Sequence, residues 1–187
     1  TKFVMMRLIA DRFHGLASKW TSVAVQRRKA SVRVSHTNFS AIGNRQLLVD
    51  VSVIAQSDGR TGIQRVVRNI YLQLLKAPPS GYHVCPVMAT RKQGYHYLPQ
   101  DFLHAPATKT VEPINCNVVR VQSGDLFLGL DLAAHIIPHR LFELVGWKRQ
   151  GVRMCFFVYD LLPILEPTWF NSRTTQNFRR WLRALAI

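Results

Sequence analysis

The chain has 187 residues, of which 48% are hydrophobic; this is enough for one globular domain with a short extension and excludes a wholly disordered protein. Its 25 lysines and arginines against 10 acidic residues give a formal charge of +15. Such a charge favours an anionic partner: nucleic acid, an acidic membrane or a phosphorylated substrate. The sequence contains no apolar run of about 18 residues, which excludes an obvious membrane-spanning helix.

Residues 1–45 differ in composition from the rest, with nine basic residues and one acid, Asp11. Apolar residues recur every three or four positions between Phe3 and Trp20, which predicts an amphipathic helix followed by a basic linker. Three interpretations stay open for this segment. The helix packs on protein, joins another domain, or lies on an anionic membrane through residues 1–25.

From residue 46 onward, strand and helix patterns alternate. The predicted strands are 46–54, 82–90, 125–131 and 152–160, with a short strand near Tyr95, and the predicted helices are 62–76, 138–150 and 171–187. Alternation of this kind predicts an α/β domain, Rossmann-like, with a mostly parallel sheet and helices on both faces.

The loop and helix start SDGRTGIQRVVR (57–68) follow the first predicted strand. Gly59 and Gly62 allow close approach of the backbone, and Arg60 and Arg65 add forked donors beside the free N–H groups of a helix start. The segment is either an anion-binding loop or an ordinary strand-to-helix turn that uses glycine for its geometry. It lacks both GxGxxG and the GxxxxGK[ST] pattern, so neither a typical dinucleotide fold nor a P-loop is predicted.

Two carboxylates stand at the predicted ends of later strands. Asp160 closes an apolar strand, where a carboxylate is costly to bury unless it is paired or functional, although it would also suit a turn cap. Asp131, after DLFLGL, is the weaker candidate of the two. His135 and His139 are four residues apart with Pro138 between them, so no metal site is predicted there.

Three segments in this order resemble a known family: DVSVIAQSDGRTGIQRVVRNIYLQLL, GDLFLGLDL and GVRMCFFVYDLLPILEPTWF. They are similar to the N-terminal half of bacterial retaining glycosyltransferases of family 4, also called group 1, and especially to mannosyltransferase-like enzymes of O-antigen and capsule assembly. The resemblance covers roughly residues 46–187. It implies a GT-B architecture, in which an N-terminal domain binds mainly the acceptor and a C-terminal domain binds mainly the nucleotide-sugar donor.

The resemblance also implies roles for individual residues. Thr61, Gly62 and Arg65, with Gly59 in the same loop, match the glycine-containing turn that lies near the donor phosphates. Asp160 matches the acid of an HD(L/I)(I/L)P motif near the transferred sugar and is the catalytic candidate, which orients the sugar or the acceptor. Tyr159 replaces the frequent histidine of that motif. Asp131 and Tyr159 are therefore the acceptor-side candidates.

The resemblance implies a GDP- or UDP-linked nucleotide sugar as co-substrate, and neither cofactor nor metal, since no DxD occurs. It assigns donor binding to a C-terminal domain that this chain does not contain, so we expect the chain to be inactive alone and to need that domain in cis or in trans. We expect a cytoplasmic location, peripheral on the inner face of the membrane if the N-terminal helix binds lipid.

Rival interpretations remain. One is a non-catalytic basic module that binds nucleic acid or a partner chain, although no helix-turn-helix, zinc finger or RNP motif supports nucleic acid. Another is a different α/β enzyme, which the missing GxGxxG and nucleophile motifs disfavour.

Overall fold

The computed structural model describes residues 45–104 and 118–186. The predicted helix and linker of residues 1–45 lie outside the described residues, apart from Arg45, and the domain of residues 46–187 stays a prediction as a unit. The strands are β1 (Arg45–Asp50), β2 (Tyr82–Met88), β3 (His96–Tyr97), β4 (Leu126–Gly129) and β5 (Arg153–Phe156). The α-helices are α1 (Ser52–Gln56), α2 (Gly62–Lys76), α3 (Leu141–Arg149), α4 (Leu162–Leu165) and α5 (Ser172–Ala184).

The described strands form one sheet in the order β3-β2-β1-β4-β5. All neighbouring pairs are parallel except β2 and β3, which are antiparallel, so the predicted mostly parallel sheet is confirmed. In the centre, Leu47 of β1 lies opposite Val84 of β2 and Leu126 of β4. The order reverses direction on either side of β1, which places a topological switch point between β1 and β4.

Helices cover both faces of the sheet, as predicted, because successive residues of β1 point to opposite sides. On one side, β1 packs against α2 in a core that contains Leu47, Val49, Val67 and Tyr71. On the other side, the sheet packs against α3 and α5 in a core that contains Leu48, Phe127, Trp147 and Trp181. Each of these large apolar side chains stabilises the fold by roughly 1.5–3 kcal/mol through burial.

The prediction of a strand over 46–54 is wrong in its second half. β1 ends at Asp50, and the apolar residues that follow form the short helix α1. The cause is the Asp50 side chain, whose Oδ1 accepts hydrogen bonds from the backbone N–H and the hydroxyl of Ser52, at 2.9 and 2.5 Å. These bonds turn the chain out of the sheet, so that α1 separates β1 from the loop at 57–61.

The strands predicted over 125–131 and 152–160 are shorter in the structure. Leu130 leaves the sheet, because its N–H donates to the carbonyl of Leu128 at 2.8 Å, and β4 therefore ends at Gly129. The last ladder bond on this side runs from the N–H of Phe157 to the carbonyl of Gly129, at 2.9 Å. Beyond it the chain has no strand to pair with, so β5 ends at Phe156.

The three predicted helices are present, and two of them have shifted bounds; α5 spans Ser172–Ala184 rather than 171–187. α2 begins at Gly62, where Thr61 and Gln64 form a reciprocal capping box. α5 begins after Asn171, whose side chain accepts a hydrogen bond from the N–H of Thr174 at 2.7 Å. α3 begins at Leu141 rather than at 138, because Pro138 lies in a preceding 3-10 turn. Within the described ranges, no helix has the length and apolar character needed to cross a membrane.

Candidate functional site

The carboxyl ends of β1, β4 and β5 meet at one edge of the sheet, since these three strands are parallel neighbours. In open α/β sheets, ligands bind in the crevice at this edge, close to the switch point. Asp50 stands at the end of β1 and Asp131 two residues after β4. Tyr159 and Asp160 follow β5. The candidate site is therefore built from the segments that leave these strands.

Asp50 is completely buried and hydrogen-bonded on both carboxylate oxygens. Besides the two bonds from Ser52, its Oδ2 accepts a hydrogen bond from the hydroxyl of Tyr95 at 3.0 Å. The Ser52 hydroxyl in turn accepts from the N–H of Ala89, at 2.9 Å, just after β2. Burial raises the pKa of Asp50 to about 7 against these hydrogen bonds. This network fastens the end of β1 to the segments that follow β2.

Asp131 is also buried, with only 1% of its surface exposed. Its Oδ2 accepts hydrogen bonds from the N–H groups of Val53 and Ile54, at 2.9 and 2.7 Å, and its Oδ1 accepts from the N–H of Leu132 at 2.9 Å. Burial raises its pKa, and these backbone bonds oppose the rise. The carboxylate thus caps α1 from the other side of the switch point. A role toward an acceptor stays a prediction.

Tyr159 and Asp160 differ in exposure although they are adjacent. The Tyr159 hydroxyl donates to the carbonyl of Leu130 at 2.7 Å, and its ring packs against Phe157 with centroids 5.8 Å apart. Asp160 is exposed, and its Oδ1 accepts a hydrogen bond from the N–H of Leu162 at 3.1 Å. Tyr159 ties the chain after β5 to the end of β4, whereas Asp160 has a carboxylate oxygen open to solvent.

The loop before α2 is shaped by Gln64. Its side-chain amide donates to the carbonyl of Ser57 at 2.6 Å, while its Oε1 accepts from the N–H of Thr61 at 3.2 Å. Gly62 opens the helix, and a Cβ added there would meet no atom within 4 Å. The space beside Gly62 at the start of α2 is therefore free in the described structure, and binding of a ligand there stays a prediction.

A cavity of about 510 Å³ lies beside this helix start, and we call it the arginine cavity. Its lining consists of Asp58, Arg60, Arg65, Arg68, Leu72, Leu103 and His104. Arg68 pairs with Asp58, and this is the one salt bridge among the described residues. Arg60 and Arg65 therefore present guanidinium groups that no carboxylate of residues 45–104 or 118–186 pairs with. Three arginines against one acid make the cavity suitable for an anion such as a diphosphate.

The structure brings together only part of the predicted site. Arg65 lines the arginine cavity, whereas Gly59, Thr61 and Gly62 lie in the adjoining loop and helix start without lining it. Within residues 45–104 and 118–186, no hydrogen bond or ion pair joins this loop to Tyr159 or Asp160. The described residues also contain no group of three histidine, cysteine or acidic side chains placed to hold a metal ion.

The sequence analysis does not identify three residues that the structure places at the arginine cavity or at the end of β1. Arg68 lies one helical turn after Arg65, which was a usable signal for a basic face. His104 comes from a 3-10 turn after β3, and nothing in the local sequence connects it to α2. Asp50 was overlooked, although an acid at the end of the apolar run LLVD carries the same signal that singled out Asp160.

Comparison with known proteins identifies relatives at the sequence level. The chain is 36% identical over 143 residues to the serotype-specific mannosyltransferase WbdA of Escherichia coli, a match that covers 76% of this chain and 16% of the relative. Two further WbdA sequences from Escherichia coli match with 36% and 35% identity, and each is covered to 17%. The chain is related to bacterial mannosyltransferases. The resemblance that the motifs predicted is thereby confirmed.

The mannosyltransferase relatives are much longer than the region that they share with this chain, which spans about a sixth of their length. No family model matches the chain. No solved structure matches it either. The five-stranded α/β sheet of the described residues agrees with a Rossmann-like half of a GT-B fold.

Proposed function

We propose that the chain is the acceptor-side domain of a GT-B glycosyltransferase. The whole enzyme transfers a sugar such as mannose, with retention, from a GDP- or UDP-linked donor to a polysaccharide or lipid-linked acceptor, as in O-antigen assembly. The observation that carries this proposal is the 36% identity over 143 residues to a mannosyltransferase. The fold supports it, because ligands of open α/β sheets bind beyond the carboxyl ends of the strands near a switch point, and the described sheet has one between β1 and β4.

In this proposal the arginine cavity neutralises the donor phosphates. Negative charge develops on the nucleoside diphosphate as its bond to the sugar breaks. Cationic hydrogen-bond donors held in place by the protein stabilise that charge. Arg65 and Arg60 have no carboxylate partner among the described residues, so their hydrogen-bonding capacity is available to the phosphates. In the adjoining loop and helix start, the backbone N–H groups of Gly59 and Gly62 are further proposed donors, whereas the N–H of Thr61 is held by Gln64.

Asp160, on the segment after β5, is the proposed contact with the sugar. Within the part of the chain that the structure describes, its exposed carboxylate accepts a single hydrogen bond, from the N–H of Leu162. A carboxylate in this state has lone pairs available to accept hydrogen bonds from sugar hydroxyl groups. We propose that Asp160 orients the transferred sugar or the acceptor, and that Asp131 and Tyr159 hold the edge of the acceptor side in place. The reaction uses no metal.

The proposal is tested with a chimera in which residues 46–186 replace the matched region of the Escherichia coli relative. The chimera is assayed with radiolabelled GDP-mannose and a panel of UDP-sugars on lipid-linked acceptors. We expect transfer from one donor, reduced at least about tenfold by Arg65→Gln or Asp160→Asn and unchanged by Arg149→Gln, an exposed arginine at the end of α3.

Circular dichroism of each chimera separates loss of folding from loss of chemistry. A folded chimera that transfers no sugar while the parent enzyme is active would contradict the proposal. Equal activity of the Arg65→Gln and Arg149→Gln chimeras would show that the arginine cavity does not hold the donor phosphates.

We also propose that the 187-residue chain is inactive by itself, because the resemblance assigns most donor contacts to another domain. Turnover by the purified chain at the rate of the chimera would contradict this.

The second candidate function is a non-catalytic basic module, which the charge of +15 favours. It predicts retention on DNA with a steep dependence on salt, and no donor use by the chimera.

A further inference from the structure

A second basic cavity lies at the start of α5, and none of the residues assigned above lines it. Its volume is about 720 Å³, and we call it the α5 groove. Arg173 and Arg179 line it together with the hydroxyl-bearing residues Thr168, Ser172 and Thr175. The described residues that line it include no acid. The lining of the arginine cavity includes Asp58, whereas the described lining of the α5 groove contains two arginines and no carboxylate.

The groove is built around the first turn of a helix of 13 residues. The Asn171 side chain satisfies the N–H of Thr174, and the carbonyl of Asn171 accepts from the N–H of Thr175. The N–H groups of Ser172 and Arg173 have no acceptor within the helix, as is general for the first residues of a helix. Free N–H groups and the positive end of the helix dipole favour an anion there.

Thr175 supplies an independent indication of a ligand. Its side chain lines the groove, is 7% exposed, and has a hydroxyl without a hydrogen-bond partner among the described residues. A buried hydroxyl left without a hydrogen-bond partner destabilises a protein, so such groups are rare unless something outside the chain satisfies them. A ligand oxygen in the groove would provide the missing partner.

The spacing of the lining residues fits a compact oxyanion. Ser172, Thr175, Gln176 and Arg179 lie at positions i, i+3, i+4 and i+7 and so share one face of α5, with Arg173 at its edge. Two forked guanidinium groups, hydroxyl donors and two backbone N–H groups match the several acceptor oxygens of a phosphate. The ring of Phe170, which also lines the groove, adds an apolar wall beside them.

We propose that the α5 groove binds a phosphate group, carried by a soluble phosphate ester or by a phospholipid headgroup. This site is separate from the arginine cavity at α2, and it does not depend on the proposed glycosyl transfer. Arg173 and Arg179 bind the phosphate oxygens, the N–H groups of Ser172 and Arg173 cap them, and the Thr175 hydroxyl donates to one of them.

The test titrates the isotope-labelled full chain with inorganic pyrophosphate and follows backbone amide signals by NMR, which locates the binding. We expect the amide signals of Ser172, Arg173 and Thr175 to shift together. Arg179→Gln should weaken the affinity at these signals about tenfold and Thr175→Val about fivefold. The matched control is Arg183→Gln, which makes the same charge change on the same helix outside the groove and should weaken it less than twofold.

Thr175→Val also separates a ligand contact from a structural one. The valine has nearly the same shape and lacks the hydroxyl, so without pyrophosphate its melting temperature should stay unchanged or rise. Amide signals of the first turn that do not move would overturn the proposal. Equal weakening by Arg179→Gln and Arg183→Gln would overturn it as well, since only the net charge would then matter.

Vesicle flotation distinguishes the two sources of phosphate. Phosphatidylcholine vesicles with and without phosphatidic acid are compared for the full chain, Arg179→Gln and Arg183→Gln. Binding to phosphatidic acid vesicles that Arg179→Gln weakens more than Arg183→Gln supports the site with a lipid headgroup as ligand. Pyrophosphate binding without this difference on vesicles supports it with a soluble ester.

Discussion

The buried ends of β1 and β4 and the exposed starts of α2 and α5 use polar residues in opposite ways. Asp50 and Asp131 are buried, and each accepts three hydrogen bonds from its own chain. The arginines at the helix starts are the reverse case, because among the described residues only Arg68 forms a salt bridge. The buried acids accept hydrogen bonds within the fold, whereas the guanidinium groups without a salt bridge among the described residues have donors available for a ligand.

This difference separates scaffold from site at a single edge of the sheet. A group with satisfied partners on its own chain gains little from a ligand, whereas an unpaired guanidinium gains a charge-assisted hydrogen bond. We therefore expect substitutions at the buried acids to change stability, and substitutions at the exposed groups to change binding and activity.

The largest effect on stability is expected for Asp131→Ala. The change removes the acceptor of three backbone N–H groups, those of Val53, Ile54 and Leu132, and leaves them without this partner in a buried or partly buried place. We expect the free energy of unfolding in urea to fall by about 3 kcal/mol or more. The control Asp101→Ala removes an exposed acid and should change it by less than about 0.5 kcal/mol. A loss below about 1 kcal/mol for Asp131→Ala would show that α1 does not need this cap.

A smaller, pH-dependent effect is expected for Asp50→Asn. Burial raises the pKa of Asp50 from 3.8 to about 7 in the folded protein, so between these values the folded state binds the extra proton. The free energy of unfolding should therefore fall as the pH rises from about 4 to about 7. The asparagine stays neutral over that range and should remove about 2 kcal/mol or more of this fall, since one pKa unit corresponds to about 1.4 kcal/mol.

Urea unfolding at a series of pH values measures this effect. The pKa of Asp131 is also raised by burial. In the Asp50→Asn variant, the free energy of unfolding should therefore still fall with rising pH, but less steeply. Parallel curves for the wild type and Asp50→Asn would show that Asp50 is ionised in the folded protein throughout the range. In that case the hydrogen bonds from Ser52 and Tyr95 outweigh burial.

The parts of the fold that the sequence predicted well are those decided by neighbours along the chain. α2 and α5 combine a helical spacing of apolar residues with their own capping residues, Thr61 and Asn171, so the predicted start is exact for α2 and within one residue for α5. β1 shows the limit of such patterns. Val51 to Ala55 continue an apolar, strand-like run, but the carboxylate that caps α1 comes from Asp131, 78 residues from Val53. No local pattern contains that contact.

The same limit applies to the candidate site. Arg65 was found because it shares a loop and helix start with the glycines, whereas Leu103 and His104 reach the arginine cavity from a distant turn. Asp160 was singled out because a buried carboxylate there would be costly. The structure exposes it, since β5 ends at Phe156 once β4 has no further residues to pair with. The acid that carries the burial cost is Asp50.

The smallest effect on stability is expected for Asp160→Asn, and it gives the sharpest contrast with Asp131. Asp160 is exposed and accepts one hydrogen bond, from the N–H of Leu162, which the asparagine oxygen can also accept. We expect the free energy of unfolding to change by less than about 0.5 kcal/mol, while transfer by the chimera falls at least about tenfold. A loss of stability as large as that of Asp131→Ala would assign Asp160 to the scaffold. Unchanged stability with unchanged transfer would leave Asp160 a solvent-exposed cap of α4, and the catalytic carboxylate would then lie elsewhere in the enzyme.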